Sequence, residues 1–345
     1  MSAKLFALLI IVALGSIVSR ASAKAELGKF HETTRFKLGG EGGWDYLTVD
    51  PDAQRLYVAR SNRIMVIDVD SGKLLGEVPN LDGAHGIDIV KELGVGFATS
   101  GKSGEVISFG LNDFKIVKRT KSGENPDALV YDSPSKKILV FNGKTKDMTA
   151  IDAGTMKVVG TLALLGKPEF AVSDGAGHVF VNLEDQNELL AIDPVLLKIT
   201  GRYPLKPCEE PTGISMDRMS KRLVVGCGNS LAAIVDSNTG HVLQTFKVGQ
   251  GVDATAFDPK QKLAFISARE GRLTVLSEDS SGGFHVLQDL TTLKGARTVA
   301  VDTKSGKVFL PTSQFKPATA TEQTQAHFRP TAIPGTFLVL VVARE

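Results

Sequence analysis

Seven positions recur at a nearly even interval and carry residue types that could do chemistry: Asp45, Gly86, Asp127, Glu169, Thr212, Asp253 and Arg297. Four are carboxylates, one is a guanidinium, and His85 stands one residue before the second. Carboxylates gathered at one point attract a hard cation, so Asp45, Asp127, Glu169 and Asp253 are candidate ligands for Ca²⁺ or another divalent ion. Crowding also raises a carboxyl pKa and suits it to acid–base work, which makes Glu169, Asp127 and His85 the candidate catalytic groups. The same acids have a plainer use. Short acidic side chains accept hydrogen bonds from the backbone N–H groups of turns, or line a water-filled channel.

Which use applies depends on the elements that carry these residues. Five residues after each position stands a marker at the end of a short apolar run: Asp50, Lys91, Asp132, Asp174, Asp217, Asp258 and Asp302. Successive markers lie 41, 41, 42, 43, 41 and 44 residues apart. A period near 40 with strand-like content is the signature of a propeller array. Each unit has the same order of parts. A first strand runs into the marker, as in Leu47-Thr48-Val49, and a tight turn such as Asp50-Pro51-Asp52 follows. Proline suits that turn because its φ is fixed and it has no N–H to leave unpaired. A second strand comes next (Arg55 to Ala59, Leu263 to Ser267), then a third closing on an apolar residue and Asp (Ile67-Asp68, Ile151-Asp152), then a fourth. Outside the first residues no sustained helical period occurs, which argues against a Rossmann-like chain. The expected fold is all-β, a seven-bladed β-propeller of four-stranded antiparallel blades. The seventh unit lacks a strand, and residues 33–38 form an orphan strand before the first unit. That N-terminal strand is expected to close the last blade and leave no open edge.

In such a ring the entry loops of the first strands and the loops between second and third strands share one face. That face then collects Asp45, His85, Asp127, Glu169, Asp253 and Arg297, with Arg60, Asn142 and Arg269 from the second set of loops, as ligand-binding candidates. A long loop at 312–334, holding His327 and Arg329, leaves from the same face. Loops of that length are usually either functional or disordered, so it is either a lid over the mouth or a disordered segment. Cys208 and Cys227 flank the hairpin that turns after Asp217 and fall at its mouth end. They form either a disulfide or two free buried thiols.

The units Leu56-Tyr57-Val58-Ala59, Lys137-Ile138-Leu139-Val140-Phe141-Asn142 and Val179-Phe180-Val181-Asn182, with the tail Pro334-Gly335-Thr336-Phe337, resemble the YVTN/YncE-like family of secreted seven-bladed propellers. That family is itself similar to the lactonase-type propellers. The resemblance runs over residues 30–345. It implies a fold more firmly than an activity, because propellers host many unrelated functions. It leaves three roles open: a binding propeller for a small polar ligand or an envelope protein, a metal-assisted lactonase-type hydrolase, or a scaffold.

Lys4, the apolar run Leu5 to Val18 and Ala21-Ser22-Ala23 form a signal peptide over residues 1–23, too short in its apolar part for a bilayer span. Residues 24–345 are then one exported propeller domain, secreted or periplasmic, with no membrane span after cleavage and a monomer expected. Lys+Arg total 40 against 38 Asp+Glu, and the excess of two lies in Lys4 and Arg20 of the signal. Nothing remains to recruit nucleic acid. No Gly-x-Ser-x-Gly, Cys-x-x-Cys, His-Glu-x-x-His or phosphate-binding loop occurs.

Overall fold

A computed structural model describes residues 28–317 and 330–344; the segment read as a signal peptide lies outside them. The described chain folds into seven four-stranded antiparallel sheets. Blade 1 is Leu47–Asp50, Arg55–Arg60, Arg63–Asp68 and Leu74–Val78, taken from the axis outward. Blades 2 to 6 repeat this order and begin with the inner strands Ala84–Val90, Pro126–Asp132, Pro168–Ser173, Pro211–Asp217 and Val252–Asp258. Blade 7 is composite: Ala300–Val301, Val308–Thr312 and Leu338–Arg344 are completed by Phe30–Lys37. The closing strand pairs from Phe30 opposite Arg344 to Lys37 opposite Leu338. It starts three residues before the expected 33–38, because Phe30 is drawn into the core. No helix of the described residues is long and apolar enough to cross a membrane.

The markers work as turn formers. The Asp50 carboxylate accepts from the N–H groups of Asp52 and Ala53 at 3.1 and 3.2 Å, and Asp258 does the same for Lys260 and Gln261 at 2.9 and 3.2 Å. The fifth residue of the turn is left-handed: Gln54, Lys136, Lys221 and Lys262 have φ of 55–57°, with Gly94 and Gly306 at the matching places. Several markers also tie neighbouring blades. Asp132 accepts from Ser173 at 2.7 Å, and Asp217 pairs with Lys262. In blade 2 the slot falls on Val90, which pairs with Val95 as Asp50 does with Arg55, one residue before the expected Lys91; the Lys91 ammonium lies 2.9 Å from Asp50 and 2.7 Å from Asp52 of blade 1.

Apolar side chains leave both faces of each sheet, so the core is divided into slabs between blades. Seven buried clusters fill the seven blade interfaces; the one between blades 1 and 2 joins Tyr57, Ile64 and Val66 to Ile87, Ala98 and Phe109. Glutamines on outer strands clip the next blade. Gln244 bonds both backbone groups of Phe284 at 2.8 and 3.1 Å, and Gln288 bonds both of Phe30 at 2.8 Å. Near the axis the blades come too close for a Cβ. One placed on Gly86 would lie 2.8 Å from the Asp127 carbonyl oxygen, and one on Gly213 would lie 2.6 Å from the Ala254 Cα.

The seam is therefore a core contact as well as a strand pairing. Phe30 is 1% exposed and meets Phe265 edge-on at 5.4 Å. Phe30→Ala is expected to cost about 3–5 kcal/mol, read from the urea midpoint. A loss under about 1 kcal/mol would mean that the seam is not part of the cooperative unit.

Candidate functional site

The inner strands bring the predicted residues to one end of the axis, and a repeated irregularity sets their aim. Blade 3 pairs Pro126 with Asn142 and then Leu129 with Val140, so Asp127 and Ala128 share one partner residue. The same two-for-one bulge holds His85 and Gly86 in blade 2, Glu169 and Phe170 in blade 4, and Thr212 and Gly213 in blade 5. A bulge bends its strand and redirects a side chain, which is why bulges gather beside functional sites. Proline opens three of these strands, at the end of the ladder where its missing N–H costs nothing. Small polar side chains opposite or beside the bulges lock the loops to the next blade. Thr99 donates to the Asp127 carbonyl at 2.7 Å and accepts from the Gly86 N–H at 2.9 Å. Asn182 donates to the Thr212 carbonyl at 2.8 Å, and Thr298 to that of Asp45 at 3.0 Å.

The resulting mouth is a ring of acids interleaved with basic groups. His85 Nδ1 lies 2.5 Å from Asp45 and 3.6 Å from Asp127. Asp45 also faces Arg297 at 3.3 Å, and Arg297 Nε pairs with Asp253 at 2.5 Å. Arg269 approaches Asp253 at 3.8 Å. Across the ring Lys167 lies 2.6 Å from Glu169 and also pairs with Glu184. Asp45, His85 and Asp127 can offer one ligand atom each within 4.8 Å of one another, and no other such group of three occurs among the described residues. The four carboxylates thus do not form one cage: Glu169 is held by Lys167 and Asp253 by Arg297.

Crowding shows in the titration of the ring. Burial pushes Asp127 up to about 6, with the Asp45 charge adding and His85 opposing. Burial also lifts Glu169 well above the usual range, and the Asp127 and Glu184 charges add to it. Desolvation works against a charge on His85, but the Asp45 hydrogen bond and the Asp127 and Asp45 charges outweigh it and raise the imidazole. Lys167 is raised likewise: the Glu169 and Glu184 carboxylates overcome its desolvation.

Beneath the charges lies an aromatic floor. Tyr46 of blade 1 stacks on Phe170 of blade 4 with ring centres 4.2 Å apart, and its hydroxyl donates to the Asp253 carbonyl of blade 6 at 3.2 Å. Residues from three well-separated blades therefore meet across the axis and turn the mouth into a cup. Burial first, then the charges of Asp253, Asp45, Glu169 and Asp127, drive the Tyr46 phenol well above its ordinary pKa. All four carboxylates thus act on one buried hydroxyl.

Two predicted ligand residues do not face the cup. Arg60 is fully buried; its guanidinium lies 3.6 Å from the Phe337 ring centre and donates to the Glu41 carbonyl at 2.8 Å. Burial lowers its pKa to about 10. Asn142 is also fully buried, and its amide bonds Ser122, Asp147 and Thr149 at 2.6–3.0 Å. Both hold loops together and offer no surface to a ligand. His327 and Arg329 lie outside the described residues, as does the middle of the 312–334 loop. At its base Phe315 bridges to Ala332, so the loop leaves and returns as a short paired stem. Cys208 and Cys227 form a disulfide at the mouth end of blade 5. Sequence reasoning missed Lys167, Tyr46 and Phe170. A shift of one residue along the same repeat would have found the floor, since Tyr46 and Phe170 follow Asp45 and Glu169 directly.

No family model and no curated protein matches the chain. Solved structures do. A Kuenenia stuttgartiensis hydrazine synthase chain is 14% identical, with 79% of this chain and 93% of that one covered and a TM-score of 0.68. A chain of the mitotic checkpoint complex is 14% identical over 90% of this chain and 95% of that one, with a TM-score of 0.69. The U3-55K structure is 9% identical over 90% and 98%, with a TM-score of 0.73. These likenesses share the propeller ring with this chain, and at such identities they speak for the fold alone.

The crowded ring has a pH signature. Asp127 titrates higher folded than unfolded, so folding is favoured while it is protonated and loses that support as pH rises from about 4 through about 6. His85 acts in the same direction: its raised value adds stability below its unfolded pKa that is lost as pH passes its folded one. Asp127→Asn is expected to be more stable than the parent at pH 7.5 by about 1–2 kcal/mol, with the difference gone near pH 4. Urea midpoints of parent and variant across that range test this; a difference between them that does not grow from pH 4 to 7 would contradict it.

Proposed function

We propose that the protein is an exported binding propeller of the YVTN/YncE-like kind, whose channel mouth takes a small polar ligand with both hydrogen-bond donors and acceptors. The observation that carries this is the cup itself. Its acids are interleaved with basic groups, are largely buried, and stand over the Tyr46–Phe170 stack. A ligand with one kind of polar group would desolvate the others without compensation, whereas a mixed one replaces lost water contacts. The same cup would accept a polar loop of an envelope protein.

A thermal-shift panel of amino acids, sugars and hydroxy acids tests the reading. At saturation one class is expected to raise Tm on the order of 5 °C, and His85→Asn and Asp127→Asn to abolish the shift. No shift from any class, or shifts that survive both substitutions, would sink it.

One observation favours a second reading, a metal-assisted hydrolase of the lactonase type: Asp45, His85 and Asp127 stand within mutual ligand distance. A donor set with an imidazole suits Zn²⁺ or a similar ion better than Ca²⁺, which takes six to eight oxygens. When bound, such an ion supplies an activated water. Elemental analysis with a lactone-hydrolysis screen separates the two. Stoichiometric metal and turnover lost in Asp127→Asn would favour the hydrolase, and a metal-free inactive protein would remove it.

Export rests on residues 1–23 and accords with the Cys208–Cys227 disulfide, since such bonds persist in oxidising compartments. N-terminal sequencing of protein recovered from the envelope or medium is expected to begin at Lys24. Retention of Met1 would overturn the signal assignment.

A further inference from the structure

Beside the cup, where blades 6, 7 and 1 meet, lies a second concavity of about 580 Å³. That volume falls within the range of small-molecule sites. Its wall is aromatic and aliphatic: Trp44, Phe315 and Ile333 line it. Its polar groups are of one sign. Among the described residues Arg269, Lys294, Arg297 and Lys316 contribute to the lining, and no carboxylate residue does. This contrasts with the cup, where acids and basic groups are interleaved.

Three further features mark the cavity as built for an anion with an apolar body. Lys294 and Lys316 are exposed, and neither pairs with an acid among the described residues, so their charge is uncompensated. Trp44 is only 9% exposed, yet its indole N–H has no hydrogen-bond partner among the described residues. A buried donor without a partner costs stability unless something meets it. Behind the wall, Phe337 packs 5.7 Å from Trp44 and carries the fully buried Arg60 guanidinium on its other contact. Two Arg60 nitrogens lack hydrogen-bond partners, and no carboxylate pairs with Arg60 among the described residues. A buried positive charge is screened less by solvent than an exposed one.

We propose that this cavity binds an organic carboxylate with an aromatic or alicyclic body, its ring against Trp44 and Phe315 and its carboxylate toward Lys294 and Lys316. An inorganic anion would leave the apolar wall in water, and a neutral aromatic would leave the cations unmatched. The site shares Arg269 and Arg297 with the cup but does not depend on what the cup binds.

Trp44 is the chain's single tryptophan, so its emission reports occupancy directly. Titration of the full-length protein with phenylbutyrate is expected to give a saturable change in that emission. Phenylbutyramide is expected to bind about tenfold more weakly, and inorganic phosphate to give no change. Lys294→Gln combined with Lys316→Gln is expected to weaken phenylbutyrate about tenfold with Tm unchanged, both side chains being exposed. The proposal is overturned by equal affinity for acid and amide, by an undiminished double variant, or by no saturable response. The double variant should keep the polar-ligand response of the cup, so that failure of one site is separable from failure of the other.

Discussion

Every blade of this molecule is a sheet with apolar side chains on both faces, and that single fact makes the ring compulsory. A lone four-stranded sheet of this kind would expose one apolar face whichever way it packed, and a row of blades would expose one at each end. Closure removes both ends at once. The chain achieves it by holding back one outer strand of the last blade and supplying it from the N-terminus, so that Phe30–Lys37 pairs with Leu338–Arg344. The Gln288 clip to Phe30 repeats the Gln244 clip between blades 5 and 6, so the seam has the same fastening as an ordinary blade junction.

Closure also creates the chemistry. Seven inner strands aimed at one axis carry their entry residues into a shared, poorly solvated space. Acids some forty residues apart in sequence become neighbours there. The ring answers with interposed basic groups: His85 between Asp45 and Asp127, Arg297 between Asp45 and Asp253, and Lys167 between Glu169 and Glu184. The compensation is incomplete: burial raises Asp127 and Glu169, and the neighbouring carboxylates add to it. A carboxyl whose pKa is raised can give a hydrogen bond when protonated and accept one when ionised.

The fold was legible because its determinants are local and repeated. Aspartate turns such as Asp50-Pro51-Asp52, strands such as Leu56-Tyr57-Val58-Ala59 and an interval near 42 residues need no knowledge of distant contacts. The identity of the ring residues was legible for the same reason, since the repeat places Asp45, Asp127, Glu169, Asp253 and Arg297 at one height. Their pairing was not. Whether Glu169 faces Asp127 or is held by Lys167 is decided by bulges that no local pattern marks, and by rotamers chosen across blades. Arg60 and Asn142 show the converse failure. They occupy mouth-side loops, as the repeat requires, but Arg60 is turned onto the Phe337 ring with one nitrogen on the Glu41 carbonyl, and the Asn142 amide is consumed by Ser122, Asp147 and Thr149. Position along a repeat gives the height of a residue and not the direction of its side chain.

The Tyr46–Phe170 stack determines which part of the axis can act as a site. An open channel would keep the ring carboxylates hydrated from below, and water would screen them from one another. With two rings 4.2 Å apart across the axis and the Tyr46 hydroxyl tied to blade 6, the acids lose solvent on their inner side. Desolvation is accordingly the largest influence on Asp127, Glu169 and Tyr46 alike. The stack therefore helps to turn a ring of ordinary surface acids into a set whose protonation responds to what enters from the mouth.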